Sequence, residues 1–359
     1  MTGRVEIVAE AGVNHDGSVD DALRLVDAAA DAGVDYIKFQ TFAADAVASA
    51  RADKAAYQKR TTEAAESQRD MLKRLELPRS AYPALIARAR QRGIGFLSTP
   101  FDPASLDFLL HELRLPRIKV GSGDLTNAPM LFDIARAGRP VVLSTGMARL
   151  DEVQEALSVL AFGYAGERAS PSRAAFAAAW QRPSVRTALT GKVTLLHCTT
   201  EYPAPIESAN LRAMDTLAAE FGLPVGYSDH TLGIETAVAA VARGAVMVEK
   251  HLTLDCARPG PDHAASLEPN GFCAMVAAVR RIEPALGDGQ KKPQAAETAN
   301  IPIARRALVA ARAIAAGETF SRENIAIKRP AIGLPPIALW DVLGKTAQRA
   351  YDVDDTIEL

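Results

Sequence analysis

Residues 225–263, VGYSDHTLGIETAVAAVARGAVMVEKHLTLDCARPGPDH, decide the fold. Val225–Tyr227 and Ala245–Glu249 are short apolar runs of the kind found in buried strands, and an alanine-rich helical pattern at 233–243 separates them. A strand, a helix and a second strand in this order predict a right-handed crossover between two parallel strands.

Two histidines follow these strands. His230 lies just past the first strand, and His251 lies at the end of the second. Because adjacent parallel strands are about 4.8 Å apart, both imidazoles should reach the same rim of the sheet. With Asp229, Asp262 and His263 nearby, two convergent imidazoles suit a divalent metal that keeps open coordination positions. The alternative is that each histidine only caps its strand end by hydrogen bonding.

The composition is that of an ordinary globular protein. The chain has 359 residues, of which 48% are hydrophobic and 23% are charged. This length allows a barrel of roughly 250 residues and a second domain. The net charge of −2 and the lack of a long basic run give no support to a nucleic acid or an anionic membrane as a partner.

The sequence also predicts a cytoplasmic protein. Residues 1–14 lack the basic start and apolar core of a signal peptide, and no apolar run approaches the roughly 20 residues that span a bilayer. The three cysteines show no CxxC spacing, so we expect neither a disulfide framework nor a cysteine metal site.

Alternating strand and helix patterns continue along residues 1–286. Eight strands are predicted, at Val5–Ala9, Val34–Gln40, Ile94–Ser98, Arg117–Val120, Val141–Ser144, Val193–His197, Val225–Tyr227 and Ala245–Glu249. Nearly all are followed by helices, which predicts an α/β fold, a (β/α)8 TIM barrel. Phe42–Leu77 is expected to pass over the rim, and a helical insertion is expected near 163–190. A doubly wound open sheet is the competing fold, but it would gather polar groups at one crevice and not around a ring.

Polar side chains follow the predicted strand ends, which is where barrel enzymes place their active sites. A lysine that faces the lumen, as we expect for Lys38, needs an anionic partner because an unpaired buried charge is costly. The polar residues at these positions are Glu10, Lys38, Gln40, Thr99, Lys119, Ser122, Asp124, Ser144, Tyr202, Ser228, His230 and His251.

The end of the chain has a different character. Residues 287–300, rich in Gly, Lys and Gln, read as a linker, and residues 301–359 read as a small β-rich domain. Its short strands are predicted at Leu308–Ala310, Ile325–Ile327 and Thr346–Ala350.

Taken in order, nine motifs resemble those of the sialic acid synthases, which condense phosphoenolpyruvate with a 2-acetamido sugar to make nonulosonic acids. They are AEAGVNHDG, IKFQT, STPFD, KVGSGD, LSTGM, LLHCTTEYPAP, GYSDHT, VEKHLTLD and GPDH. The later stretch ARRALVAARAIAAGETFSRENIAIKRP resembles the antifreeze-like (SAF) domain of that family. The departures are the insertion near 163–190 and Asp124, where the family usually has Glu.

The resemblance implies a role for each matching residue. His230 and His251 would bind a divalent metal, Mn²⁺ first, with Mg²⁺ or Co²⁺ as alternatives. The residues that would hold phosphoenolpyruvate are Lys38, Gln40, Thr99, Lys119, Ser122, Ser144 and Ser228. Glu10, Tyr202 and Asp262 would contact the acceptor sugar, and Asp124 or Glu10 would help water to add. Arg329 would reach the N-acyl group of a sugar in the partner barrel of a domain-swapped homodimer.

Several functional alternatives stay open. The acceptor is N-acetylmannosamine, giving N-acetylneuraminate, or 2,4-diacetamido-2,4,6-trideoxymannose, giving N,N′-diacetyllegionaminate, with pseudaminate synthesis as a further alternative. Lys119 could instead form a Schiff base, as in a sugar-phosphate aldolase. A non-catalytic carbohydrate-binding protein is the rival of another class, but it would not need two lysines and two histidines at one rim.

Overall fold

The computed structural model describes residues 3–49, 52–63 and 65–359. The chain divides into two compact units, Met1–Asp288 and Gly289–Leu359. No helix among the described residues is long and apolar enough to cross a membrane.

The first unit contains eight parallel strands. They are β1 (Glu6–Gly12), β2 (Tyr36–Thr41), β3 (Gly95–Pro100), β4 (Ile118–Val120), β5 (Val141–Ser144), β6 (Val193–Cys198), β7 (Val225–Asp229) and β8 (Met247–His251). Their spatial order is β3-β2-β1-β8-β7-β6-β5-β4. The pairing of the first strand with the last confirms the TIM-barrel prediction, since an open doubly wound sheet does not join them. Among the described residues no hydrogen-bonded ladder joins β3 to β4, which leaves one seam in the barrel.

Helices follow the strands on the outside of the barrel. They are α1 (Val19–Asp31), α2 (Ala44–Val47), α3 (Ala56–Thr61), α4 (Gln68–Leu75), α5 (Tyr82–Gln91), α6 (Pro103–Asp107), α7 (Ala128–Arg136), α8 (Leu150–Tyr164), α9 (Arg173–Trp180), α10 (Pro183–Arg186), α11 (Ala213–Phe221), α12 (Glu235–Ala242) and α13 (Pro269–Ile282). Local sequence sets their starts. Ser18 and Asp102 accept hydrogen bonds from the first turns of α1 and α6, and a proline begins α6, where its missing N–H costs nothing.

The two predicted departures from the regular barrel are present. Short helices α2, α3 and α4 lie within Phe42–Leu77. The insertion forms α9 and α10, and Phe176 of α9 packs edge-on against Phe162 of α8 with ring centroids 5.1 Å apart. The insertion therefore extends the outer helical layer, as predicted.

The alternation of side chains along the strands builds the site. A small apolar cluster inside the barrel contains Val8, Leu97, Val142, Leu196 and Met247. Two positions further along four of these strands, on the same face, come Glu10, Thr99, Ser144 and Glu249. Each of these four strands thus contributes an apolar residue to the barrel interior and then a polar residue near its carboxyl end.

The second unit is small and has little regular structure. Strands β9 (Ala307–Ala310) and β10 (Ile325–Lys328) form an antiparallel pair, and short helices lie at α14 (Ala295–Thr298), α15 (Ile301–Ala304) and α16 (Leu339–Val342). The predicted third strand at Thr346–Ala350 is wrong. Thr346 and Tyr351 make only isolated bridges to Thr319 and Ile314, because the chain keeps no continuous register there.

Candidate active site

A cavity of about 370 Å³ lies at the carboxyl ends of the barrel strands. This volume falls within the usual range for small-molecule sites. Twelve of the fourteen predicted site residues line it, namely Glu10, Lys38, Gln40, Thr99, Lys119, Ser122, Ser144, Tyr202, Ser228, His230, His251 and Asp262.

Two lysines and two carboxylates share the floor of the cavity. Lys38 Nζ lies 2.9 Å from Glu10 Oε2 and 3.5 Å from Glu249 Oε2. Lys119 Nζ lies 3.7 Å from Glu249 Oε1 and donates to Ser144 Oγ at 2.7 Å. The anionic partner that Lys38 was predicted to need is therefore present twice.

The electrostatics of these four groups follow from burial and pairing. Burial alone would raise the pKa of Glu249, but Lys119 and Lys38 outweigh it and bring the pKa to about 2. Burial raises the pKa of Glu10 despite its lysine neighbour. Burial would lower the pKa of Lys38, yet Glu10 and Glu249 raise it, whereas Lys119 keeps a lowered pKa because burial dominates there. Two lysines that face one cavity can receive a small, highly charged anion.

His230 and His251 meet at the same rim, with ring centroids 5.6 Å apart. Nδ1 of His230 donates to the Thr199 carbonyl at 2.6 Å, so the lone pair of the ring is on Nε2, which lies 3.3 Å from Ser228 Oγ. Burial lowers the pKa of His230 to about 4 and that of His251 well below its ordinary value. Both imidazoles are therefore neutral near pH 7, as metal ligation requires.

The residues present fit a metal with two protein ligands. Nδ1 of His251 is buried and has no hydrogen-bond partner, an arrangement that a bound ion would satisfy. Nitrogen–metal bonds are about 2.1 Å long, so rings this close can share one ion. Within the described part of the chain no third His, Cys, Asp or Glu completes a ligand cluster, so water and substrate would fill the other positions.

Asp262 lies beside these imidazoles. Its Oδ2 is 3.6 Å from His251 Nδ1. Burial, followed by the nearby charge of Glu10, raises the pKa of Asp262 to about 7. Gly12 makes this crowding possible, since at φ +52° a side chain there would meet Gln40, Glu10 and Asp262 at 3.3–3.4 Å. Asp262 is thus able to exchange a proton near neutral pH.

Tyr202 connects the histidines to Phe42–Leu77, the segment that we call the rim segment. Its ring centroid lies 4.2 Å from that of His230 and 5.5 Å from that of His251. Tyr57 of α3 packs on the other side of Tyr202 at 5.1 Å. The rim segment therefore reaches into the cavity and holds an aromatic residue beside the histidine pair.

Two predicted site residues lie elsewhere. Asp124 is not part of the cavity wall, and its carboxylate accepts a hydrogen bond from Asn127 at the start of α7. This hydrogen bond links Asp124 to the start of α7, and of the two carboxylates expected to help water, Glu10 is the one that lines the cavity. Arg329 is exposed in the second unit, next to a cis peptide bond with Pro330.

Two residues that the sequence placed near the metal are not there. Asp229 faces the outer helices and pairs with Lys250, so the expectation that it lies beside the ion is wrong. The ring nitrogens of His263 form hydrogen bonds with the Thr253 hydroxyl group and the Asp16 carboxylate, away from the histidine pair.

Sequence reasoning did not include several lining residues among the site residues. Glu249 had a recognisable signal, since it precedes His251 by two positions on the same strand face. Met71 and Leu75 also had one, because they are spaced four apart in an otherwise charged helix. No local pattern distinguishes Tyr57, since it reaches the cavity only through the path of the folded chain.

Comparisons with known proteins find similar chains along nearly the whole length of this one. Residues 25–291 match the NeuB family, and residues 305–350 match the SAF domain. The N,N′-diacetyllegionaminic acid synthase of Campylobacter jejuni is 46% identical over 351 residues, which cover 98% of each chain. That of Legionella pneumophila is 40% identical, over 94% of this chain and 89% of the relative.

A solved structure gives the same answer for the fold. The N-acetylneuraminic acid (sialic acid) synthetase of Leptospira borgpetersenii, crystallised with citrate, is 33% identical, with a TM-score of 0.66 over 84% of this chain and 91% of that one. The matches confirm the resemblance indicated by the nine motifs. The chain therefore belongs to the NeuB family, followed by a SAF domain.

Proposed function

We propose that this protein is a nonulosonic acid synthase that condenses phosphoenolpyruvate with an open-chain 2-acetamido sugar. The observation that carries the proposal is that two neutral imidazoles and two buried lysines face one cavity. The lysines suit an anion, and the imidazoles suit a metal that polarises an aldehyde.

The anion-binding part of the site follows from the lysine pair. We expect Lys38 and Lys119 to bind the phosphate and carboxylate of phosphoenolpyruvate, because a buried ammonium gains most from a charged acceptor. Hydroxyl groups of Thr99, Ser144 and Ser228 lie within hydrogen-bond range of these side chains or of Glu249 and can donate to the same anion. The anion would replace part of the contact that Glu10 and Glu249 now make with the lysines.

A divalent ion held by His230 and His251, which we propose to be Mn²⁺, would act as a Lewis acid on the aldehyde oxygen. In the reaction, C3 of phosphoenolpyruvate bonds to the aldehyde carbon, and the aldehyde oxygen takes up a proton. Asp262 can supply that proton because its pKa lies near 7.

Water then completes the reaction. It adds to C2 and gives up a proton, for which Glu10 is the carboxylate available in the cavity. The bond between C2 and the phosphate ester oxygen breaks, the hydroxyl group on C2 becomes the ketone of the product, and inorganic phosphate leaves with the ester oxygen and the proton of that hydroxyl group. The proton that Glu10 takes from water equals the one that Asp262 gives to the aldehyde oxygen. Atoms and charge balance without an oxidant or reductant.

The acceptor that we propose is 2,4-diacetamido-2,4,6-trideoxymannose, which gives N,N′-diacetyllegionaminate. The named activity of the two relatives at 46% and 40% identity supports it. An apolar wall supports it as well, because Val13, Phe42, Met71 and Leu75 line the cavity on the rim side and suit a 6-deoxy methyl group. The structural relative named for N-acetylneuraminic acid keeps N-acetylmannosamine as the alternative.

We also propose a homodimer in which Arg329 serves the site of the partner subunit. Both units expose large apolar side chains that a partner could cover. On the barrel, Met147, Ile206 and Leu232 follow β5, β6 and β7, and Ile337 and Trp340 are exposed in the second unit.

The free cysteines support the expected cytoplasmic location.

The test is a panel of 2-acetamido sugars, each mixed with phosphoenolpyruvate and Mn²⁺. Phosphate release and product mass identify the acceptor, and we expect the 2,4-diacetamido sugar to react fastest. A sugar-phosphate aldolase is the second candidate, since burial lowers the pKa of Lys119 as a Schiff-base lysine requires. Borohydride trapping of a sugar on a lysine, without phosphate release, would refute the synthase and support the aldolase.

A further inference from the structure

A fully buried ion pair lies on the outer face of the barrel, directly behind the two histidines. Lys250 Nζ is 2.7 Å from Asp229 Oδ2, and both side chains are completely shielded from solvent. Thr231 and Thr236 donate their hydroxyl groups to the same carboxylate. The proposed reaction makes no use of these four residues.

The ion pair is tied to both histidines through the chain. Asp229 immediately precedes His230, and Lys250 immediately precedes His251. Besides bonding Asp229, Lys250 Nζ donates to the Thr231 carbonyl at 2.7 Å. The ammonium group of Lys250, the residue before His251, therefore contacts the residues on both sides of His230, the side chain of Asp229 and the backbone carbonyl of Thr231.

The position of the ion pair in the sheet relates it to the direction in which the two imidazoles point. Asp229 and Lys250 are opposite each other and form the last register pair between β7 and β8. The preceding pair is fixed on the inner face, where Ser228 Oγ donates to Glu249 at 2.9 Å. Because side chains alternate, the next residues along both strands point inward, and these are the two histidines.

Apolar packing could have stabilised this position equally well. Replacing a buried ion pair by packed apolar residues is often neutral or stabilising, so the value of such a pair lies in its directed contacts. Residues that orient metal ligands commonly change metal affinity 10–100-fold when they are replaced.

We propose that Asp229 and Lys250 are positioning residues that set the spacing of His230 and His251 before the metal arrives. The inference rests on the proposed metal-dependent function. In this proposal, an ion pair outside the cavity determines the spacing of the two metal ligands inside the cavity.

The experiment is a Mn²⁺ titration of three variants and the unaltered full-length chain, followed by electron paramagnetic resonance. The variants are Lys250→Met, the double change Asp229→Asn with Lys250→Met, and Arg280→Met. Arg280 is the matched control, because it likewise bonds a carboxylate and a backbone carbonyl, those of Asp35 and Val5, both of which lie before a strand. Circular dichroism establishes that each variant is folded.

We expect the Mn²⁺ dissociation constant to rise at least tenfold in both Lys250 variants and less than twofold in Arg280→Met. The double variant leaves no unpaired buried charge, so it decides the matter if Lys250→Met does not fold. Unchanged affinity in the folded double variant overturns the proposal, as does an equal loss in Arg280→Met. Failure of both Lys250 variants to fold would show that the pair serves stability and would also overturn it.

The titration separates this inference from the function on which it rests. Saturable binding to the unaltered chain, with unchanged affinity in the variants, would overturn only the positioning role. Lack of Mn²⁺ binding to the unaltered chain would refute the metal in the proposed function and the positioning role together.

Discussion

Replacing Glu249 by glutamine should destabilise the barrel strongly, although the change alters only one side-chain atom. Glu249 is 5% exposed and, among residues 3–49, 52–63 and 65–359, is the carboxylate that contacts both lysines of the cavity. In the variant, Lys119 would lose its ion pair with Glu249 and would have no other carboxylate of the described residues within ion-pair distance, and Lys38 would keep its ion pair with Glu10.

The magnitude follows from the two distances. At 3.5 and 3.7 Å, each pair is worth about 4.5 kcal/mol at an effective dielectric constant of about 20. Removing the buried carboxylate also removes its desolvation cost, which offsets part of this loss. We therefore expect the free energy of unfolding to fall by about 3–5 kcal/mol, as in other buried pairs that lose one partner.

The assay is urea unfolding followed by far-UV circular dichroism, with Glu6→Gln as the control. Glu6 also pairs with a cation, Arg117 at 2.8 Å, but its side chain is 36% exposed. The control should lose less than about 1 kcal/mol. Phosphoenolpyruvate should raise the melting temperature of Glu249→Gln more than that of the parent, since the ligand restores negative charge beside the lysines. Equal losses in the two variants would refute the buried charge network.

Three further outcomes are expected. A chelator should abolish phosphate release and Mn²⁺ should restore it, and full activity in chelator would end the metal proposal. Met71→Gln should lower about tenfold the kcat/KM for the 2,4-diacetamido sugar relative to that for N-acetylmannosamine, because a polar group enters the apolar wall. An unchanged ratio of the two kcat/KM values would contradict the apolar wall as the element that determines specificity. Burial lowers the pKa of His15 to about 4, so the unfolded state binds an extra proton as pH falls below about 6.5, and stability should drop by about 3 kcal/mol by pH 4. His15→Asn keeps the acceptor for the Gly17 N–H and should lose that much less over the same pH range, as urea unfolding at each pH will show.

The barrel could be predicted from sequence because its signals are local. Each βα unit carries its own apolar run and helix pattern, and polar residues follow every strand, so Glu10, Lys119 and His251 were placed at one rim without knowledge of any contact. Patterns along the chain determine which residues share an end of a parallel sheet, and that was sufficient to gather most of the cavity.

Strand ends set the limit of that reasoning. The sequence ended β7 at Tyr227, but the strand continues to Asp229. Two additional residues of strand fix the alternation, so Asp229 turns outward to Lys250, whereas Ser228 and His230 face the cavity. The rim segment shows the second limit, since Tyr57 meets Tyr202 across 145 positions of sequence, and no local pattern encodes that contact.

The seam between β3 and β4 has a consequence for how the protein responds to its anion. Lys119 lies on β4, a strand of three residues whose hydrogen-bonded ladder is with β5. Backbone amides of β4 should therefore exchange with deuterium faster than those of β5, which has a ladder on both sides. An anion that binds Lys119 should slow this exchange. Binding of the anion in the cavity can therefore be measured as slower deuterium exchange of the β4 backbone amides.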